Sequence, residues 1–283
     1  MLDTEGLERL IERVIEGGVH GLFILGSTGE GPHLSYRLRR ELITRTCRQA
    51  AARVPVLVGI TDTAFVEAVE LARCAAEAGA QAVVTSAPYY FQLSQPELIQ
   101  FVQRLTAELP LPLLLYNMPM MTKTQFEPNT VRDLLQLEKV IGIKDSSGNL
   151  GYFGRIAKVA KARPDWVVLA GWEHLLARAI KLGGHGGVPG GAQVDPRLLV
   201  ELYEAAERDD LSRVRPLQKR LLRLGQIYQV GDSSSAFINT LKTALSLLGV
   251  CNDRMAEPFS AFGEPQRQRV RAILESAGYL SKA

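Results

Sequence analysis

The sequence predicts an α/β fold: a TIM (β/α)8-type barrel with a C-terminal helical extension. Three observations lead there. Short apolar runs recur along the chain, each too short for a buried helix and most rich in Val, Ile or Leu. The runs show no polar alternation, as parallel strands covered on both faces require. The segments between them carry helical periodicity, and for most units the repeat is about thirty residues, which favours a barrel over a doubly wound sheet.

The chain opens with a helical pattern over residues 3–17, with Leu7, Leu10, Ile11, Val14 and Ile15 on one face. Seven strands are predicted after it: Gly21–Leu25, Val54–Val58, Ala82–Thr85, Leu111–Tyr116, Val140–Ile143, Trp166–Ala170 and Gly186–Val188. Ser35 is an N-cap for the next helix, and Ser94-Gln95-Pro96-Glu97 reads as a capping box. Asp195-Pro196 reads as a cap followed by proline at the first helical position. Gly17-Gly18, Gly79 and Gly183-Gly184 close helices. Beyond about residue 196 no strand is expected, and helices are predicted near 196–208, 210–229, 233–249 and 257–278. The barrel is therefore placed at 1–208 and the extension at 209–283. A barrel of this type has eight strands. The expectation is that its first strand is missing from this sequence, because Met1-Leu2 is too short to supply it. An open barrel, or another segment filling the gap, would answer the same count.

Composition narrows the function. The chain has 283 residues, 46% hydrophobic and 22% charged, which is enough for a large core. Its net charge is +3. Arg37, Arg39, Arg40, Arg45, Arg48 and Arg53 crowd one stretch without interleaved aromatics, so a solvated face or subunit contact is expected rather than a nucleic-acid partner. Cys47, Cys74 and Cys251 form no CxxC pair and read as reduced thiols, which places the protein in the cytoplasm. His20, His33, His174 and His185 lack metal-ligand spacing, so no metal and no cofactor are expected. No signal peptide or long apolar span appears, so no membrane partner is expected.

The most informative residue is Lys144, in Val140-Ile141-Gly142-Ile143-Lys144-Asp145-Ser146-Ser147. It puts an amine at the end of an apolar strand. Burial disfavours the ammonium form, and a free amine is what a Schiff-base nucleophile needs. A lysine whose head snorkels to water is the plain alternative. Three other strand ends carry unusual polar residues. Gly26-Ser27-Thr28-Gly29-Glu30-Gly31 offers hydroxyls and backbone N–H groups to an anion, or is an ordinary glycine turn. Pro88-Tyr89-Tyr90 and Tyr116-Asn117-Met118-Pro119 put phenols where they relay protons or cap a core. The Gly183–Gly191 run is read as close backbone approach that keeps the Val188 carbonyl accessible; a phosphate cradle is the alternative.

Together the G-[ST]-T-G-E turn at Gly26–Glu30, the Y-N-x-P end at Tyr116–Pro119 and the G-x-K end at Gly142–Lys144 resemble the dihydrodipicolinate synthase/N-acetylneuraminate lyase family of class I pyruvate-dependent aldolases. The resemblance runs from about Asp3 to the C-terminus. It implies that Lys144 forms an imine with pyruvate or another 2-oxo acid and that Tyr116 is the general acid/base beside it. It implies that Ser27 and Thr28, with Gly29, hold the substrate carboxylate. Ser27 would link Tyr116 to a second tyrosine supplied by a neighbouring subunit, and Tyr90 occupies that position. A homo-oligomer, dimer or tetramer, follows.

One departure bears on the substrate. Family members that make dihydrodipicolinate carry arginine where this chain has Met121, and a thioether cannot pair with a carboxylate. Members that cleave sugar acids have an uncharged residue there and resemble this chain at Ser146. Ser146, Ser147 and Glu173 are accordingly expected to bind substrate hydroxyls. Lys123 stands where glycine is common, and the sequence assigns it no role. The reading is a carbon–carbon lyase acting between pyruvate and an aldehyde, on a 2-keto-3-deoxy sugar acid or an N-acetylneuraminate-like substrate. Dihydrodipicolinate synthase, an imine-forming hydratase or dehydratase, and a non-catalytic binding barrel are the alternatives.

Overall fold

The computed structural model describes residues 1–281. Seven parallel strands form one sheet in simple sequential order. The chain enters through α1 (Thr4–Glu16), whose first turn is capped by the Asp3 side chain accepting from Gly6 N–H. Then come β1 (Leu22–Ile24), α2 (Tyr36–Ala50), β2 (Val56–Gly59), α3 (Phe65–Glu77), β3 (Ala82–Ser86) and α4 (Gln95–Glu108). β4 (Leu113–Asn117) leads into a single turn, α5 (Pro119–Thr122), and then α6 (Pro128–Leu134). β5 (Val140–Asp145), α7 (Leu150–Ala160), β6 (Val167–Ala170), α8 (Leu176–Lys181), β7 (Gly186–Gly187) and α9 (Pro196–Glu207) follow. The chain ends with α10 (Leu211–Leu224), α11 (Ala236–Leu247) and α12 (Glu264–Ser276). Each expected strand falls within a few residues of its observed position. Residues 1–15 supply no strand, and β1 and β7 stand at opposite ends of the strand order.

The helix signals act as their chemistry requires. Ser35 accepts from Leu38 N–H, Asp195 accepts from Leu198 N–H, and Ser94 with Glu97 forms the capping box. Gly18, Gly79 and Gly183 take left-handed conformations just past helix ends, where a Cβ would be strained. Two expected helices are shorter than their sequence patterns. α12 begins at Glu264, not near 257: a helix begun at 257 would carry Pro265 in its interior, whereas from Glu264 that proline lies in the first turn, where its missing amide hydrogen costs nothing. α10 ends at Leu224, and Gly225 opens a 3-10 stretch to Gln229.

Two apolar layers surround the strands. The outer one lies between sheet and helices and includes Ile43, Val58, Leu71, Val83, Leu98, Leu113, Ile143, Ile156 and Val168. Burying each such side chain stabilises the fold by roughly 1.5–3 kcal/mol relative to exposure. The inner layer is Val84, Leu114 and Tyr116, with Phe23, Leu57, Ile141, Val167 and Leu169 packed on it. Strand alternation sends Leu113 and Leu115 outward and Leu114 and Tyr116 inward. α10 packs on α9 through Leu217 and Leu221 against Leu198 and Leu202. α11 and α12 share a separate cluster with Val194 and the Ile227–Val230 segment. No helix is long and apolar enough to cross a membrane among the described residues.

A single irregularity positions the site. β4 and β5 pair with Leu113 opposite Val140, then shift by one residue, so that Leu114 faces Gly142 and Tyr116 faces Lys144. Continued without the shift, Tyr116 would face Ile143, whose side chain belongs to the outer layer. The extra residue therefore puts the lysine beside the tyrosine on the inner face. Gly142 is tied to the same geometry. A Cβ there would lie 2.3 Å from the Val167 carbonyl oxygen and 3.0 Å from Leu114 Cδ1.

Candidate active site

Lys144 is buried at the carboxyl end of β5, where β/α barrels carry their chemistry. Its Nζ lies 4.3 Å from the centre of the Tyr116 ring and 4.9 Å from that of Phe23. The Phe23 and Tyr116 rings meet edge to face, 6.0 Å apart. The amine thus sits in an aromatic corner, its charge facing ring π-clouds. The Tyr116 hydroxyl lies 3.4 Å from Ser27 Oγ. Burial pushes the Tyr116 phenol up, but the Lys144 ammonium and hydrogen bonds with Ser27, Ser146 and Lys144 outweigh it, and the net direction is down. A phenol that gives up its proton more readily suits proton exchange near neutral pH.

One side of this pair is held by a polar strap. Asn117 and Asp145 are the next residues in register after Tyr116 and Lys144, on the opposite face of their strands. The Asn117 amide donates to Asp145 Oδ1 at 2.8 Å, and its carbonyl accepts from Phe126 N–H at 3.1 Å. Asp145 also accepts from the Ser147 backbone and hydroxyl, each at 3.0 Å. Burial raises the Asp145 carboxyl, and the Asn117 and Ser147 hydrogen bonds only partly offset that. The asparagine of Y-N-x-P therefore bonds β4 to β5 beside the reactive pair.

Ser27 and Thr28 lie in the turn after β1, and Ser27 reaches Tyr116. Gly29 has backbone close on its inner side: a Cβ there would sit 3.3 Å from Leu25 N. Ser146 is buried, and the space for its hydroxyl comes from Gly171, where a Cβ would fall 1.9 Å from Ser146 Oγ. The Val188 N–H donates to the Ala170 carbonyl, which carries the β6–β7 ladder past Gly187. Met121 is partly exposed on α5, just beyond β4.

Three of the expected residues have partners within the chain. The Ser147 hydroxyl is spent on Asp145, so it is part of the strap rather than a free donor to substrate. Glu173 is buried and turned toward the glycine run: its Oε2 accepts from Gly191 N–H at 2.7 Å and from the Tyr228 hydroxyl at 3.3 Å. Among the described residues its Oε1 has no hydrogen-bond partner. Burial raises its carboxyl against the lowering hydrogen bonds from Gly191 and Tyr228. Glycine at 191 leaves room for this carboxylate, since a Cβ there would sit 2.6 Å from Glu173 Oε2 and push it aside. Tyr90 is exposed and stacks edge to face on Phe91 at 5.0 Å, leaving it outside the pocket of its own chain.

Sequence reasoning missed Phe23, because the continuous run Leu22-Phe23-Ile24 has no alternation to show which side chain points inward. It left Lys123 without a role. The residue takes a left-handed conformation, φ 58°, as the cap of α5, a position where glycine would carry no strain. A cleft of about 920 Å³ lies elsewhere, between α1, α2 and the start of α9. Arg9, Arg13 and Arg48 line it together with Glu8, Glu12 and Glu16, so it gathers no single charge and none of the strand-end residues. Among the described residues no three His, Cys, Asp or Glu side chains gather as a metal site.

Known proteins are similar to this chain over nearly its whole length. "Putative 2-dehydro-3-deoxy-D-gluconate aldolase YagE" of Escherichia coli is 31% identical over 277 residues, covering 97% of this chain and 91% of its own. A 4-hydroxy-tetrahydrodipicolinate synthase of Methanoculleus marisnigri is 32% identical over 281 residues, covering 98% and 93%. Among solved structures, a dihydrodipicolinate synthase from Bacteroides thetaiotaomicron superposes with a TM-score of 0.94 at 49% identity, covering 98% of this chain and 93% of that one. YagE solved in complex with pyruvate gives a TM-score of 0.93 at 30% identity, covering 99% and 94%. A profile of the Dihydrodipicolinate synthetase family matches residues 1–277. With the fold, the strand-end motifs and the full-length match in agreement, this chain belongs to the dihydrodipicolinate synthetase family.

Proposed function

We propose that the protein is a class I lyase that makes or breaks a carbon–carbon bond between pyruvate and an aldehyde through an imine on Lys144. The observation that carries this reading is the buried Lys144 amine against the Tyr116 ring, with the Tyr116 hydroxyl in reach of Ser27. Lys144 Nζ, as free amine, adds to the ketone carbon of the 2-oxo acid. Tyr116 gives a proton to the departing hydroxyl, and water leaves as the imine forms. The protonated imine accepts the electron pair of the breaking bond, releasing an aldehyde and leaving an enamine. Tyr116 takes the proton from the hydroxyl that becomes the aldehyde carbonyl; condensation runs the same steps backward. Ser27 and Thr28 hold the carboxylate, which fixes the ketone against the amine. Ser146 meets a substrate hydroxyl, and Val188 lines the opposite wall through its backbone.

The substrate is proposed to be a 2-keto-3-deoxy sugar acid or a related 2-oxo acid. Met121 supports this, because it offers no charge to a second carboxylate. The second reading is 4-hydroxy-tetrahydrodipicolinate synthesis, favoured by the 49% identity to a structure carrying the dihydrodipicolinate synthase name. A panel of aldehydes offered with pyruvate, with products read by mass spectrometry, separates the two. Hydroxyaldehydes should condense, and aspartate semialdehyde should react poorly until Met121→Arg supplies a partner for its carboxylate. Robust turnover of aspartate semialdehyde by the unaltered protein would establish the second reading.

Tyr90 is proposed to serve a neighbouring copy, since in its own chain it lies exposed on Phe91. The active species is then at least a dimer. Light scattering at assay concentration that finds a fully active monomer would remove Tyr90 from the relay. A cytoplasmic location is part of the same proposal, resting on three cysteines that are all free.

A further inference from the structure

The turn that carries Ser27 and Thr28 is anchored by residues far away in sequence. Leu25 and Glu30 bracket it, and both take left-handed backbone conformations, φ 57° and φ 53°, that non-glycine residues rarely adopt. Such conformations persist where surrounding structure over-determines them. Part of that structure is local. The Leu25 carbonyl oxygen is pressed against Gly31 and Gly59, where a Cβ would lie 2.2 and 2.4 Å from it. Glu30 N–H donates to the Ser27 carbonyl at 3.1 Å and Gly31 N–H to the Gly26 carbonyl at 3.2 Å, closing the turn.

The rest comes from the C-terminal helices. The Glu30 side chain is buried. Its Oε2 accepts from Lys242 Nζ on α11, and its Oε1 accepts from Ala256 N–H at 2.7 Å. Lys242 Nζ also donates to the Arg254 carbonyl at 2.5 Å. The His33 ring packs on Phe259 in the same segment, centres 4.7 Å apart. Each Glu30 oxygen thus has a protein donor, and both donors lie beyond residue 240. A continuous path runs from Lys242 through the Glu30 side chain, through its main chain to Ser27, and on to Tyr116.

We infer that Glu30 and Lys242 are positioning residues, and that the C-terminal helices set the geometry of the substrate-carboxylate site through them. This rests on the imine reading above. Loss of Lys242 leaves the buried Glu30 carboxylate without its cation, and loss of the Glu30 charge leaves the half-buried Lys242 without its anion; in both cases the cheapest relief is movement of the strained turn. Ser27 and Thr28 would then lose their aim at the carboxylate, while Lys144, held by the β4–β5 pairing, would keep its place.

The test compares two ketones, pyruvate and acetone, trapped on Lys144 with borohydride. Acetone forms the imine but has no carboxylate. Glu30→Gln and Lys242→Met should lower the pyruvate-to-acetone ratio of trapping rates by about tenfold or more, the size of a weakened charge-assisted hydrogen-bond set. An unchanged ratio, even with both rates and the melting temperature reduced, would overturn the inference and leave the pair as a tether only. Should both variants fail to fold by circular dichroism, Glu30→Asp decides. It keeps the charge and shortens the reach, so a lowered ratio supports the inference and an unchanged ratio overturns it. A wild-type protein that traps neither ketone would sink the imine reading itself, a result distinct from an unchanged ratio.

Discussion

The carboxyl ends of β4 and β5 and the turn after β1 meet at one point, where Ser27 Oγ approaches the Tyr116 hydroxyl, yet they are built in different ways. The β4–β5 side is regular. Its two reactive residues are direct register partners, and the next pair along, Asn117 and Asp145, is bonded on the far face. The β1 side is irregular. It depends on two left-handed non-glycine residues, two glycines without room for a Cβ, and an ion pair to a helix more than two hundred residues onward. The regular side places a nucleophile by many shared backbone bonds. The irregular side leaves the Ser27, Thr28 and Gly29 N–H groups without backbone acceptors among the described residues, where a continued strand would pair them in its ladder.

The largest expected effect is on the regular side. Tyr116→Phe should leave pyruvate binding in place and slow turnover by about 10²–10⁴, the range for a general acid/base group. An unchanged rate would remove Tyr116 from the chemistry and make its phenol a core cap. On the irregular side, Gly31→Ala forces a methyl into the Leu25 carbonyl oxygen. Overpacking of that kind costs about 1–3 kcal/mol. The variant should lower the melting temperature and weaken pyruvate saturation together; full affinity in a folded variant would show that the turn tolerates remodelling.

Asn117→Ala isolates the strap. It removes one partner of buried Asp145 and frees Phe126 N–H, a loss of about 1–3 kcal/mol. Denaturant unfolding measures it, and stability within error of the wild type would mean that Ser147 alone satisfies Asp145.

The smallest effect concerns Glu173. Its carboxyl is raised by burial, so the folded chain holds the proton more tightly than the unfolded chain does. That contribution is fully present below the unfolded value near 4.3 and is lost as pH rises through the raised folded value. Glu173→Gln should flatten this part of the stability–pH curve relative to wild type, in thermal melts across mildly acid pH. An identical slope in both proteins would mean that folding leaves the Glu173 carboxyl unshifted.

Much of the regular side was legible in the sequence. Lys144 and Tyr116 end apolar runs, and a titratable group closing such a run has few places to go but the strand end. The one-residue shift between Leu113 and Leu114 was not legible, because Leu113, Leu114 and Leu115 give no alternation from which to read a face. For the same reason Phe23 was hidden in its run. Ser147 and Glu173 were placed at the right strand ends but turn to protein partners, since sequence gives a residue's position on the strand and not the competition for its hydrogen bonds. Glu30 was visible as part of the G-S-T-G-E turn, but its partners at Lys242 and Ala256 are set by how the C-terminal helices fold back. The last helix was expected from near residue 257 and begins at Glu264, where Pro265 falls in the first turn instead of the interior.

The account stands on the amine of Lys144, and borohydride reduction in the presence of pyruvate tests it most directly. Peptide mapping should find the mass of one reduced pyruvyl group on the peptide that contains Lys144, and none in Lys144→Ala. A label on any other lysine, or no label at saturating pyruvate, would contradict it.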